Sequence, residues 1–193
     1  MPSRSWRHWH SERARELDEV EAAHTAIGGS GPGRRTATQQ INRAYAVLLA
    51  SQFQGFCRDL HTECAKHLIA LIPVVAFQEY VRDEFLWNRG LDRGNATQGT
   101  IAGDFGRLGL ENFWPLVDAD RPGNDRRRQV LDRLNEWRNA IAHQSLDPVR
   151  LGGTTMLRLA MVRRWRRVCR VLAKSMDNVT RTYLLGVTGM PPW

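Results

Sequence analysis

Apolar residues recur at steps of three and four positions along most of this sequence, which is the period of amphipathic helices. Long helices are predicted at 4–27, 36–72, 125–143 and 154–185, the second starting at Thr36 or Thr38 and the last at Thr154 or Thr155. Shorter helices are predicted at 74–87, 98–108 and 111–117. No segment alternates apolar and polar residues as a half-buried strand would. The predicted fold class is therefore all-α, most simply a bundle of four main helices with short additional helices.

Two of the predicted helices carry long apolar stripes that mark candidate core positions. The stripe of the 36–72 helix consists of Ile41, Tyr45, Leu48, Leu49, Phe53, Phe56, Leu60, Cys64, Leu68 and Leu71. The stripe of the last helix consists of Leu157, Met161, Trp165, Val168, Leu172, Met176, Val179 and Tyr183. Their length predicts that both helices face a common core.

Glycine and proline divide the chain into regions. The run Gly28–Gly33 predicts a helix stop and a connector, so residues 1–35 form an N-terminal helix and a Gly-rich connector that pack on the same domain. Residues 36–187 form the main helical domain, and residues 188–193 form a loose tail. Within the main domain, residues 88–124 hold seven glycines and two prolines, which predicts an irregular insertion.

Composition limits the class of protein further. Lysine and arginine number 28 against 20 acidic residues, giving a net charge of +8, and all of these cations except Lys66 and Lys174 are arginines. Arginine suits phosphate binding, but a GC-rich genome is the commoner explanation for such an excess. No run of 18 apolar residues and no secretory signal is visible, so we expect a cytoplasmic protein without a membrane span. Cys57, Cys64 and Cys169 lie in no metal-ligand spacing and are expected to be reduced, buried thiols.

The segment 131–144, LDRLNEWRNAIAHQ, carries the candidate chemistry. The core stripe of this helix consists of Val130, Leu134, Trp137 and Ile141. At about 100° per residue, Asn139 and His143 point away from that stripe, and Arg138 lies on its flank. A core histidine therefore fits poorly, which leaves either a solvated polar face or a functional site.

The spacing of these three residues limits how they can act together. Asn139 and His143 are four residues apart, so the amide can orient the imidazole. Arg138 and His143 are five residues apart, about 140° around an ideal helix, so one helix does not bring both groups to one atom. Either the helix ends near His143 and Arg138 reaches round, or a two-fold dimer supplies the opposite half.

The run Arg138-Asn139-Ala140-Ile141-Ala142-His143 resembles the signature of HEPN domains, an arginine and a histidine with four to six residues between them and a polar residue after the arginine. Arg4 and His10 also have this spacing, but they lie in the N-terminal helix beside Trp6 and Trp9, and we interpret them as a chance match. Residues 44–68 are similar to the aromatic-rich helix of RiboL-PSP-type HEPN domains, whose common form hFEGF has an acid where this chain has Gln54. The resemblance covers roughly residues 38–185.

This resemblance implies a metal-independent endoribonuclease that needs no cofactor. It also implies a homodimer with its active cleft at the two-fold axis. The implied role is that of a toxin or antiviral effector, and a toxin would have an antitoxin protein as its partner. It implies attack of the ribose 2′-hydroxyl on the adjacent phosphate, leaving a 2′,3′-cyclic phosphate. His143 would transfer protons, Arg138 would stabilise the phosphate, and Asn139 would orient His143 or contact the phosphate. DNA lacks the attacking hydroxyl, so the expected substrate is RNA.

Basic runs on two helices are candidates for RNA binding. The six residues are Arg126, Arg127, Arg128, Arg163, Arg166 and Arg167. A solvated helix face is the alternative explanation for such runs. Two other functions stay open: a non-catalytic HEPN module that binds RNA or a partner protein, which Gln54 favours, and a helical regulator that binds duplex DNA, against which the lack of a helix-turn-helix pattern argues.

Overall fold

The computed structural model describes residues 1–28 and 34–193, and within this part of the chain every regular element is helical. The helices are α1 (Arg4–His8), α2 (Ala14–Ile27), α3 (Arg34–Ala70), α4 (Val75–Leu86), α5 (Gly90–Arg93), α6 (Gln98–Gly106), α7 (Phe113–Asp120), α8 (Asn124–Ala142) and α9 (Leu159–Thr188), with a π-helical segment, Trp9–Arg13, joining α1 to α2. The all-α prediction is confirmed. Most of the predicted connector, residues 29–33, lies outside the described residues.

The last helix begins later than its sequence pattern predicts. Thr154 and Thr155 precede α9, and the Thr154 hydroxyl accepts a hydrogen bond from the backbone N–H of Met156 at 3.0 Å. Arg158 is extended, with φ −88° and ψ 144°, so the helix begins only at Leu159. A local side-chain turn has taken the place of the predicted helix start. The helix ends at Thr188, where Gly189 adopts φ 70°.

Helix α3 lies at the centre of the fold and contacts α1, α2, α4, α5, α6, α8 and α9. Its aromatic residues Phe53 and Phe56 pack edge-on against Trp9, with ring centroids 5.9 and 5.8 Å apart. Between these two residues, Gly55 leaves the space that the side chain of Arg13 occupies. A Cβ atom there would lie only 2.5–2.9 Å from the guanidinium of Arg13, which crosses α3 to pair with Asp59 at 2.6 Å.

Helices α8 and α9 pack on α3 and on each other. Trp137 of α8 and Trp165 of α9 meet in the core with ring centroids 6.2 Å apart. The buried amide of Asn124 joins α7, α8 and α9, because its Nδ2 donates to the carbonyl oxygen of Val117 at 2.6 Å and to the hydroxyl of Ser175 at 3.0 Å. The bonds of Asn124 fix the N-terminal end of α8, the helix that carries the candidate site.

Residues 88–124 are less irregular than the glycine count predicts, because α5, α6 and α7 bring apolar residues into the core. The fully buried ones are Leu91, Ile101, Phe105, Phe113 and Val117. The buried carboxylate of Asp104 accepts hydrogen bonds from the backbone N–H groups of Gly90 and Leu91 at 2.9 and 2.8 Å, which caps α5. The glycines mark the breaks between short helices that belong to the core.

Three further predictions can be compared with the structure. Cys57, Cys64 and Cys169 are free and buried, as predicted, and burial raises the pKa of each thiol. The tail is not entirely loose, since Trp193 packs against the core. Across residues 1–28 and 34–193, every helix is too short or too polar to cross a membrane.

Candidate functional site

Helix α8 presents the motif at its C-terminal end. Leu131, Leu134 and Trp137 are buried, and this anchors one face of the helix in the core. Asn139 and His143 are exposed and Arg138 is half-buried, so the predicted orientation of the motif on α8 is confirmed. Burial of one face therefore holds the polar residues of the motif at the surface.

The helix ends immediately before His143. The backbone N–H of Gln144 donates to the carbonyl oxygen of Ile141 at 3.2 Å, and that of Ser145 donates to the carbonyl oxygen of Ala140 at 2.9 Å. This pair of bonds is a Schellman motif, with Gln144 at φ 53° in the position that glycine usually occupies. His143 itself has φ −93° and ψ 4°. The helix therefore ends at His143, which is one part of the first alternative that the sequence left open; the other part requires Arg138 to reach round.

The Asn139 amide forms no hydrogen bond with the imidazole in the described part of the chain. Its Oδ1 accepts hydrogen bonds from Asn95 Nδ2 at 2.6 Å and from Arg138 Nη1 at 3.2 Å. Asn139 therefore holds Arg138, where the sequence had suggested that it orients His143. Asn95 follows α5, and no periodic pattern points from it to Asn139, 44 residues away.

A surface cleft of about 470 Å³ opens beside the end of α8. Its lining consists of Glu136, Asn139, Ala140, His143, Ser145, Arg150 and Leu151. Asn139 and His143 are predicted site residues, whereas Arg138 lies outside this lining. His143 and Asn139 therefore lie in the wall of a surface depression.

Arg150 is a cleft residue that the sequence reasoning missed. Its side chain is exposed, and no described residue forms an ion pair or hydrogen bond with its guanidinium. The backbone carbonyl of Arg150 accepts a hydrogen bond from Arg133 Nη1 at 2.7 Å, which holds the loop against α8. The loop places a free cation in the same cleft as His143. Nothing in the sequence distinguishes it from the other arginines.

Gln54 occupies the position where the resembling family has an acid. Its Nε2 donates to the backbone carbonyl of Leu91 at 2.7 Å. A carboxylate has no proton to donate to that carbonyl, so the amide suits this contact. Leu91 belongs to α5, and Asn95 follows α5, so Gln54 helps to fix the segment that contacts Asn139. It lines no part of the cleft.

Three of the predicted RNA-binding arginines are engaged within the fold. Arg128 pairs with Asp118 at 2.5 Å and lies 5.3 Å from the ring centroid of Trp114. Arg163 pairs with Glu21 at 2.7 Å, and Arg166 pairs with Asp18 at 2.7 Å. Their charges are locally neutralised, which makes them structural links and poor candidates for phosphate contacts.

The other three predicted residues keep their charges available. Arg126 and Arg167 are exposed, and neither side chain has an ion pair or hydrogen bond within residues 1–28 and 34–193. Among the described residues, Arg127 donates only to neutral oxygens, those of Pro122 and of the Asn124 side chain, both at 2.9 Å. The six arginines therefore divide evenly between paired and available cations.

The second spacing match, Arg4 and His10, does not form one site. Arg4 lies beside a shallow cleft with Glu63 and Lys66, whereas His10 lies beside a different one with Arg170. Burial, Arg170 and Lys174 lower the pKa of His10. No group of three or more His, Cys, Asp or Glu side chains placed to hold a metal ion occurs in the part of the chain that the structure describes.

Comparisons with protein-family models, curated proteins and solved structures found no match to this chain. The family resemblance therefore depends on the motif residues themselves.

Proposed function

We propose that the protein is a metal-independent endoribonuclease of the HEPN type, serving as a toxin or antiviral effector. The observation that carries this proposal is the surface cleft lined by Asn139 and His143, with Arg138 hydrogen-bonded to that same Asn139. His143 can transfer protons and Arg138 stays charged, and these are the two kinds of group that phosphoryl transfer requires.

In the proposed reaction, the ribose 2′-oxygen attacks the adjacent phosphorus atom. The new O2′–P bond forms as the bond from phosphorus to the 5′-oxygen breaks, which leaves a 2′,3′-cyclic phosphate and a 5′-hydroxyl. His143 of one copy accepts the 2′-hydroxyl proton, and that proton then passes through solvent to the leaving 5′-oxygen. Arg138 stabilises the charge on the non-bridging oxygens.

The two-copy arrangement follows from the position of Arg138. Arg138 lies outside the lining of the cleft that holds His143, so one chain does not direct both groups into it. A two-fold dimer that juxtaposes the two helix ends would supply each cleft with a cation from the other copy. Mixing Arg138→Ala with His143→Ala tests this arrangement, and exchange of subunits should restore about a quarter of wild-type activity. No restoration would contradict it.

The direct test of function is cleavage of end-labelled RNA by wild type, Arg138→Ala and His143→Ala. We expect the wild type to produce fragments with 2′,3′-cyclic phosphate ends and both variants to lose cleavage while remaining folded. A single 2′-deoxy substitution at the cleaved nucleotide should block the reaction, because it removes the nucleophile. His10→Ala is the matched control, since His10 belongs to the other spacing match. Full activity in His143→Ala would contradict the mechanism.

A non-catalytic module that binds RNA or a partner protein is the alternative. Gln54 favours it, because a neutral amide that donates to Leu91 stands where the family has an acid. This alternative predicts RNA or partner binding without cleavage, and binding that His143→Ala leaves unchanged.

A further inference from the structure

A second groove, of about 900 Å³, lies between the first half of α8 and the start of α9. Residues of α8, of the loop after it and of α9 form its walls. Leu151 lines both this groove and the His143 cleft, and its side chain is 3% exposed. The two depressions are therefore separated by one buried leucine on a shared wall.

The walls of this groove are strongly basic. Four arginines line it, Arg126, Arg127, Arg133 and Arg164, against the single acid Asp125. Arg133 pairs with Glu136 at 2.8 Å. Arg126 and Arg164 are exposed, and neither guanidinium has an ion pair or hydrogen bond to a described residue. The groove therefore holds cations without internal partners, which suits a polyanionic ligand.

The floor of the groove is apolar and, among the described residues, has no accessible aromatic ring on which a nucleobase could stack. Val130, Met161 and Val168 are half-buried lining residues. The aromatic residue of the lining, Trp165, is only 4% exposed and packs in the core against Trp137. Base stacking of the kind that single-strand-binding proteins use needs an accessible ring face. The groove is therefore suited to the phosphate backbone, whatever the sequence.

We propose that this groove is the track of the RNA substrate: a single strand crosses it with phosphates bound by Arg126, Arg127 and Arg164, and passes Leu151 and Arg150 into the His143 cleft. This inference rests on the proposed ribonuclease function. It adds a binding site that lies outside the motif and involves Arg164 of the basic run on α9 and Arg150, which the sequence did not single out.

The length of the track sets the substrate that it requires. Arg126 precedes His143 by 17 residues, about 25 Å along a helix that rises about 1.5 Å per residue. A stacked strand advances about 3.4 Å per phosphate, so the track spans about seven nucleotides. A long strand reaches Arg126 and the cleft together, whereas a dinucleotide occupies the cleft alone.

Binding is tested first, in His143→Ala protein, with a fluorescent oligouridylate of about 15 nucleotides. Arg126→Gln/Arg164→Gln should raise Kd at least about tenfold near about 0.1 M salt, and loss of two phosphate contacts should reduce the salt slope by about 1.4. Arg7→Gln/Arg82→Gln is the charge-matched control, because both side chains are exposed on α1 and α4 and line neither depression. Equal weakening of both double variants, or no weakening in either, would overturn the track.

Cleavage by protein with intact His143 then separates the two proposals. On the long substrate, the groove double variant should raise KM at least about tenfold with little change in kcat, since it removes binding remote from the reacting bond. On a dinucleotide, wild type and variant should be equal. If RNA binding depends on the groove but the wild type does not cleave RNA, the ribonuclease proposal is refuted and the groove remains a binding site. If the wild type cleaves RNA and the groove variant has the same KM as its control, the track is refuted and the ribonuclease proposal is retained.

Discussion

Arg138 Nη1 donates a hydrogen bond of 3.2 Å to Asn139 Oδ1, and Asn95 Nδ2 donates to the same oxygen at 2.6 Å. One exposed amide oxygen therefore holds the cation of the motif and joins it to the segment after α5. The amide that follows the arginine thus has a positioning role for that arginine, alongside any direct contact with substrate.

Substitution of Asn139 should separate these two roles. We expect Asn139→Ala to lower kcat about tenfold, equivalent to about 1.4 kcal/mol, because Arg138 loses its anchor. Asn139→Asp should lower it further, since a carboxylate keeps Arg138 but repels the phosphate. Steady-state kinetics on an RNA oligonucleotide checks both variants. Greater activity in Asn139→Asp than in Asn139→Ala would mean that anchoring Arg138 is the dominant role.

Arg128 should contribute to stability, although it belongs to the same basic run as Arg126. Its guanidinium bonds both carboxylate oxygens of Asp118, at 3.0 and 2.5 Å, and lies over Trp114. Arg128→Ala leaves a half-buried carboxylate without its partner, and we expect a loss of about 2 kcal/mol in the free energy of unfolding. Urea denaturation measures it.

Arg126→Ala provides the matched control for that measurement. Its side chain is exposed and unpaired among the described residues, so the loss should stay below about 0.5 kcal/mol. Equal destabilisation by the two substitutions would contradict the division of the run into one structural and one available arginine.

Local periodicity was sufficient to predict the orientation of the motif. Leu134 and Trp137 mark the buried face of α8, and a helix period of 3.6 residues then places Asn139 and His143 outward without any knowledge of the neighbouring helices. The all-α class was predictable for the same reason, because the apolar stripe of each helix depends only on the sequence of that helix.

Features that depend on distant residues could not be predicted in this way. Arg128 and Arg126 look alike in sequence, and the approach of Asp118 and Trp114 from α7 distinguishes them. The presence of Arg150 in the cleft depends on a loop whose backbone is held by Arg133. The partners of Asn139 depend on Asn95, which lies in a region that the glycine content marked as irregular. Each case is a long-range contact that leaves no periodic signal.

The buried His61 should make stability fall on acidification. Its ring is fully buried, Nε2 donates to the carbonyl oxygen of Asp104 at 3.0 Å, and Nδ1 faces Arg89 at 3.5 Å. Burial, followed by the charge of Arg89, lowers the pKa of His61 to about 4. The unfolded chain therefore binds a proton near pH ~6.5 that the folded protein does not accept until about pH 4.

The lowered pKa of His61 in the folded protein predicts the direction in which stability changes with pH and the pH range of that change. Stability due to neutral His61 is complete above pH ~6.5 and declines toward pH ~4, at up to about 1.4 kcal/mol for each pH unit. Urea denaturation at several pH values in this window measures the slope. His61→Gln keeps an amide donor for Asp104 and removes the titration, so its slope should be shallower. Identical slopes would exclude His61 as the source.

Gln144 should be a site where glycine stabilises the protein. It has φ 53° at the end of α8, a backbone conformation that costs an ordinary L-residue about 1–2 kcal/mol. Glycine avoids that cost but adds about 0.5–1 kcal/mol of entropy to the unfolded chain, so Gln144→Gly should gain about 0.5–1 kcal/mol. The expected rise in Tm is a few degrees, measured by calorimetry. Gln144→Ala is the control, because alanine gains nothing from the left-handed conformation. A glycine variant no more stable than the alanine variant would show that the end of α8 relaxes away from this geometry.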